Sequence, residues 1–302
     1  MSCPIPVSFA SIHWGSERPN TSNRRHTLIQ FAIRQLGQGV FFLRWWDRAT
    51  EMDAGRIGAL TGLGLAVACG AADEPSEEVV IFAASSLMEA FQELEQVYED
   101  RYPHRDVRLS FAGSHVLRTQ IEQGAGADLI ATADQAHLDA LFAGGFLAQP
   151  MSFAVNRLAI VVGSEGSDEI QTLEDLLSLE RIVLGSPQVP VGRYAQEMLK
   201  ACGEELAAGI LERVVSYEDN ARLVRAKVEL GEAQAAVVYR SDAEGGRGLR
   251  SIPVPGHCAV SPVYGIGRLA TSEGKAAEDF LRLLESPTGQ EILRARGFGD
   301  RP

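Results

Sequence analysis

From residue 79 onward the chain switches repeatedly between two hydrophobic periods. Val79-Val80-Ile81-Phe82-Ala83 is a short apolar run that ends in two serines, Ser85 and Ser86. A run of that length, bounded by small polar residues, reads as a buried strand. Leu87, Phe91, Leu94 and Tyr98 then repeat at helical spacing, which predicts a helix over 86–101 that stops before Pro103. "DVRLSF" (106–111) alternates as a strand, and a helix opens near Ser114 with Leu117 and Ile121 inward. "ADLIATAD" (127–134) is another short strand, and Asp134 caps the helix carrying Leu138 and Phe142.

The second part repeats the scheme. "NRLAIVVG" (156–163) and "RIVLG" (181–185) read as strands around a helix at 172–178. A proline-marked loop enters a helix that runs to Lys200. A short strand, a helix near 219–230, a stop at Gly231 and a strand through Tyr239 follow. Beyond "LRSIPVP" (249–255) the pattern changes, and two closing helices, 272–285 and 287–296, split at Pro287. Strands alternating with helices imply βαβ units and mostly parallel sheets. No low-complexity linker divides this region, so two α/β lobes sharing strands fit better than two separate beads.

The first 51 residues differ from the rest. They hold all three tryptophans and six arginines against three acids, and "SERPNTSNRR" (16–25) is polar and irregular. We read 1–51 as an N-terminal extension outside the main fold. From Met52, Arg56 precedes a mild apolar stretch, Ile57 to Ala68, and then Cys69 and polar residues. That is the shape of an export signal, so 52–77 is assigned to signal and short linker. "AVAC" (66–69) resembles a lipoprotein cleavage box with Cys69 as the lipidated residue, and plain cleavage after Ala68 reads equally well.

Charge and cysteine content narrow the functional classes. The formal net charge is -12, which argues against nucleic acid as a partner. Four cysteines are too few for a disulfide scaffold, and no Cys-x-x-Cys or H-E-x-x-H spacing marks a metal site. If residues 1–68, which include Cys3, are removed and Cys69 is lipidated, Cys202 and Cys258 remain as a pair that an oxidising compartment allows.

The candidate chemistry lies at strand-to-helix junctions, because open α/β sheets bind ligands beyond the C-terminal ends of their strands. Ser85-Ser86, Gly113-Ser114, "VPVGRYA" (189–195) and Asp219-Asn220 are four such junctions, and Tyr239 ends a fifth strand. Each junction offers helix N–H donors, in places with a hydroxyl, and none offers lysine or histidine. Taken singly, each has a plainer reading. Ser85 or Ser86 caps a helix, and Tyr239 is a core residue with a satisfied hydroxyl.

Taken together, these segments resemble the periplasmic molybdate-binding proteins of ATP-driven uptake systems. The resemblance covers about 79–298 and rests on "FAASSL" (82–87), "LSFAGSHVLRTQIEQGAGADLIATAD" (109–134), "VPVGRYA" (189–195) and "YEDNARLVRAKVELGEAQAAVVYRSDA" (217–243). It implies a two-lobed periplasmic binding protein fold of α/β class, with lobe I at 78–158 and 258–302, lobe II at 159–257, and a cleft at the hinge. It further implies that Ser86, Ser114 and Tyr239 contact an oxyanion through hydroxyls and that Val191 and Asn220 contact it through backbone amides. The ligand is then molybdate or tungstate, with no cofactor and no metal held by side chains. The partner is an inner-membrane ABC permease, and the protein is an exported monomer, lipid-anchored if Cys69 is modified. Val191 stands where the family has a smaller residue and Asn220 where it often has an apolar one.

Three other classes are weighed against this one. Sulfate, thiosulfate or phosphate binding would use the same donors, and phosphate would favour an acid such as Asp219. A hydrolase would draw on His115, Asp128 and Asp134. The plainer readings are a solvent-facing His115 and structural hydrogen bonding by the two acids, and no G-x-S-x-G elbow occurs. An effector domain of a transcription regulator needs a DNA-binding helix pair, which residues 1–51 are too broken to build. The mature protein is expected to lack residues 1–68, and the intact mass of protein from the native membrane fraction checks this. A diacylglyceryl mass on Cys69 would mark the lipoprotein form, and a mass starting near Met1 would count against both.

Overall fold

The computed structural model describes residues 77–163 and 169–302, so the proposed extension and signal lie outside the described residues. Two five-stranded sheets form the frame. The first contains β1 (Glu77–Ala84), β2 (Arg105–Ala112), β3 (Leu129–Thr132), β4 (Met151–Val155) and β10 (Val263–Arg268), in the order β2-β1-β3-β10-β4. The second contains β5 (Leu158–Val162), β6 (Ile182–Gly185), β7 (Val214–Glu218), β8 (Ala235–Tyr239) and β9 (Arg250–Pro253), in the order β7-β6-β8-β5-β9. β1 pairs parallel with β2 and β3, while β10 pairs antiparallel with β3 and β4. The second sheet repeats this, with β5 as its reversed strand. Each sheet is therefore parallel but for one strand.

The reversed strands are the ones that cross between halves. β4 passes into β5 through Asn156 and Arg157, and β9 passes into β10 through residues 254–262. The two crossovers touch, with Asn156 N–H donating to Pro262 C=O at 2.8 Å. Sequence reading missed β4, β9 and β10. In β10, Gly265 and Gly267 break the apolar pattern for a packing reason. A Cβ at Gly265 would lie 2.5 Å from Leu138, and one at Gly267 would lie 2.8 Å from Leu147.

Helices cover the sheets where the periods predicted, except that the segment expected as a helix over 172–178 forms only a short 3-10 helix, Glu174–Ser178. α1 (Met88–Arg101) buries Phe91, Leu94 and Tyr98. Phe91 packs against Phe153 and Phe280 at ring distances of 6.1 and 5.8 Å. Each such side chain, fully buried, contributes about 1.5–3 kcal/mol. α2 (Ser114–Glu122) and α3 (Gln135–Ala143) follow β2 and β3. In the second half, α4 (Pro190–Cys202), α5 (Glu204–Leu211), α6 (Ala221–Glu229) and α7 (Arg240–Glu244) surround the sheet. α8 (Lys275–Glu285) and α9 (Pro287–Ala295) close the chain on the first sheet's side. Asp134 caps α3 as expected, its Oδ1 accepting from His137 N–H at 3.1 Å. Among the described residues no helix is long and apolar enough to cross a membrane.

Cys202 and Cys258 are joined in a disulfide. It ties the end of α4 to the second crossover. Together with nearby His257 these two cysteines form the one metal-like grouping among the described residues, and the disulfide occupies both sulfurs. Replacing both cysteines by alanine is expected to cost about 2–4 kcal/mol of stability by relaxing the unfolded chain. Urea unfolding of wild type and double variant measures it, and equal midpoints would contradict it.

Candidate oxyanion-binding cleft

The strand ends of the two sheets face each other across a narrow cleft. From the first half it is lined by Ala84, Ser85 and Ser86 after β1, by Ala112, Gly113 and Ser114 after β2, and by Ala133 after β3. From the second half come Val189, Pro190 and Val191 at the start of α4, Asp219, Asn220 and Ala221 at the start of α6, and Tyr239 at the end of β8. All five residues singled out in the sequence, Ser86, Ser114, Val191, Asn220 and Tyr239, meet here. The space left for the centre of a water-sized atom is about 20 Å³, where one water needs roughly 10–15 Å³. Only a compact ligand suits it.

The halves approach closely. A Cβ at Gly113 would lie 2.5 Å from the Asp219 carbonyl oxygen opposite. Glycine at 113 is therefore required by contact between the halves. At Gly192 a Cβ would fall 2.1 Å from the Ser186 carbonyl oxygen, so glycine seats the first turn of α4 against the end of β6.

Each donor has a local cause. Pro190 occupies the first position of α4 and has no N–H to lose. The amides of Val191 and Gly192 lie within the first turn, beyond the helix's own ladder. Asn220 is the N-cap of α6, its Oδ1 accepting from Leu223 N–H at 3.1 Å. Ser114 opens α2, and its Oγ accepts from Ala133 N–H at 3.1 Å. Its own proton remains to give. The capping reading of Ser85 and Ser86 is not what forms. Ala84 and Leu87 hold the cap positions without side-chain bonds, and Ser86 Oγ pairs instead with Tyr264 Oη at 2.8 Å.

Among the five residues singled out in the sequence, Tyr239 is the least satisfied. It is 1% exposed, and its Oη is buried with no hydrogen-bond partner. Burial pushes its pKa well above the usual phenol value, so it stays a protonated donor. An orphaned buried hydroxyl costs about 1–3 kcal/mol, so it points to a missing acceptor.

Charge sits around the rim. Arg193, in the first turn of α4, binds Asp134 of the first half. Arg222, in the first turn of α6, binds Glu89 of the first half at 2.6 Å. Both arginines were missed in the sequence. Their signal was available, since a cation in a first helical turn opposes the macrodipole and implies a nearby acid. The acids considered for catalysis have structural partners. Asp128 accepts from Val80 N–H and Ser272 Oγ, both at 2.8 Å, and Asp134 holds α3 and Arg193. His115 is only partly buried, with its Nδ1 enclosed and unpartnered, so it does not face solvent freely.

With this geometry in view, relatives can be compared. Residues 79–299 match the family described as bacterial extracellular solute-binding protein. The chain belongs to that family. The molybdate-binding protein ModA of Mycobacterium tuberculosis is 34% identical over 85% of this chain and 99% of its own. ModA of Escherichia coli is 31% identical over 73% of this chain and 88% of its own. The periplasmic molybdate-binding protein of Azotobacter vinelandii shares the fold with a TM-score of 0.64, at 19% identity over 73% of this chain and 98% of that one. The resemblance and the fold class drawn from the sequence both hold.

Asp242 of α7 lies buried behind the cleft with both carboxyl oxygens unpartnered. Burial pushes its pKa up to about 7, against the pull of Arg225. The folded state thus holds this proton more tightly than the unfolded chain, whose carboxyl titrates near 3.8. Its contribution is fully present below pH 4 and is lost as pH rises through 7, a loss of up to about 4 kcal/mol. Asp242→Asn is expected to match wild type near pH 4 and exceed it at pH 8 in urea unfolding. Parallel pH profiles of the two proteins would refute this.

Proposed function

We propose that this protein captures molybdate, with tungstate as a near-isostere, through neutral hydrogen-bond donors and delivers it to a membrane ABC permease. The observation that carries the proposal is the buried, unpartnered hydroxyl of Tyr239 in a cleft lined by helix starts. A dianion taken out of water loses a large hydration energy. It needs several donors aimed at its oxygens, and bonds to a charged acceptor are the strong ones. Ser86, Ser114 and Tyr239 supply hydroxyls, and Val191 and Asn220 supply amides at helix starts. No donor proton is demanded of the ligand in return, and no reaction is required. The names of the relatives point to the same ion.

In this reading residues 78–158 and 258–302 move as one lobe against residues 159–257, hinged at the two crossovers. The anion contacts both lobes, so it favours the closed form. The closed surface then reports occupancy to the permease. Export and cleavage in the 52–77 region, with either a lipid on Cys69 or plain cleavage after Ala68, complete the proposal, with the protein acting as a monomer.

Sulfate shares the charge and shape of molybdate but is smaller. In a cavity set for the larger ion it cannot reach all donors together, and each missed donor costs desolvation without return. Competition calorimetry with molybdate, tungstate, sulfate and phosphate is expected to rank the last two a hundredfold or more weaker, about 3 kcal/mol. Tyr239→Phe and Ser114→Ala should each weaken molybdate by about 1.5–3 kcal/mol. Val191→Ala should retain binding, because its amide stays. Sulfate equal to molybdate would overturn the ligand, and unchanged affinity in both the Tyr239 and Ser114 variants would overturn the site.

A further inference from the structure

We propose that Tyr264, held by Asn156 at the crossover between the sheets, positions Ser86 as a hydrogen-bond donor into the cleft by donating a hydrogen bond to Ser86 Oγ. The inference rests on the reading of Ser86 as an anion donor and adds two residues behind it.

The direction of each bond follows from the donor and acceptor inventory. Asn156 is fully buried. Its Oδ1 accepts from Arg157 N–H at 2.8 Å, which fixes the amide's orientation. Nδ2 is then the donor, giving to Ser241 Oγ at 2.9 Å and to Tyr264 Oη at 3.4 Å. Tyr264 Oη thereby accepts from Asn156 and has one proton left. Its other polar neighbour is Ser86 Oγ at 2.8 Å. The phenol is the more acidic of the two hydroxyls, so it is the better donor. With a lone pair of Ser86 Oγ so engaged, the serine's own proton is free to turn toward the cleft that it lines. An anion there can only accept, which favours the same direction and lets the bonds polarise one another.

Ser114 is set in the same way by a different means. Its Oγ accepts from a backbone N–H, that of Ala133. One serine is thus polarised by the main chain of the first half. The other is polarised by side chains that reach the crossover and, through Ser241, the second half. Tyr264 is also well seated for the task. Its ring packs edge-on against Tyr239 at 5.6 Å and Phe298 at 5.2 Å. The aromatic contacts do not depend on the hydroxyl, so Tyr264→Phe separates packing from donation.

The test is a double-mutant cycle on the full chain, read by calorimetry with sodium molybdate. Tyr264→Phe is expected to weaken molybdate about tenfold in the wild-type background and less than about twofold in a Ser86→Ala background. Equal losses in both backgrounds, or no loss in the first, would overturn the proposal. Thermal unfolding without ligand reports whether the variants fold. A second measurement replaces Tyr264 by its 3-fluoro analogue, a stronger donor and weaker acceptor of nearly the same size. Tighter molybdate binding is expected, and weaker or unchanged binding would mean that Ser86 donates its hydrogen bond to Tyr264, which would overturn the proposal. If Ser86→Ala alone leaves the affinity unchanged, Ser86 leaves the site and the relay falls with it. A loss in Ser86→Ala without a loss in Tyr264→Phe removes the relay and leaves the binding site standing.

Discussion

The buried hydroxyl of Tyr239, a donor without an acceptor, is the constraint on which the cleft turns. Two helix starts from the second half, one from the first, and the side chains of Ser86, Ser114 and Tyr239 line one small space. A donor left empty in such a place costs about 1–3 kcal/mol, and the cost is charged only when the halves shut water out. On the proposed reading, closure without a ligand is opposed by the same groups that favour it with one, and a compact acceptor with several oxygens answers them at once. The fold needs no mobile cation for this, because the helix starts already carry partial positive charge.

The rim works on a different principle. Arg193 and Arg222 each stand in the first turn of a helix, where their charge is unfavourable. Each is neutralised by an acid of the other half, Asp134 and Glu89. The pairs lie beside the cleft and join its two walls, while the donors at the centre stay neutral. Charge thus bridges the two walls of the cleft at its rim. Asp134 is well placed for this because its other oxygen is already fixed as the cap of α3.

Behind the cleft, the crossovers govern how the walls meet. Asn156 bonds to the other crossover through its main chain and to Ser241 and Tyr264 through its side chain. The disulfide joins the far end of α4 to the second crossover, so the helix that presents Val191 is anchored at both ends. Gly113 and Gly192 then set how near the backbones come. Small residues here are dictated by contact with main-chain oxygen, which no side-chain rearrangement can relieve.

Periodicity along the chain determined the α/β class, most of the strands and helices, and the junctions where donors gather, because both periods and helix starts are local properties. Resemblance over those junctions singled out Ser86, Ser114, Val191, Asn220 and Tyr239, which the fold brings together. The tertiary structure alone decided the rest. β10 was illegible because its glycines answer to Leu138 and Leu147, residues more than a hundred positions away. Ser86 looked like a helix cap, and only the fold brings it to Tyr264, 178 residues on. The arginine pairs, likewise, join residues 59 and 133 positions apart. Local chemistry fixes what a residue can donate or accept, but its partner is set by how two sheets, joined by two crossovers, close on each other.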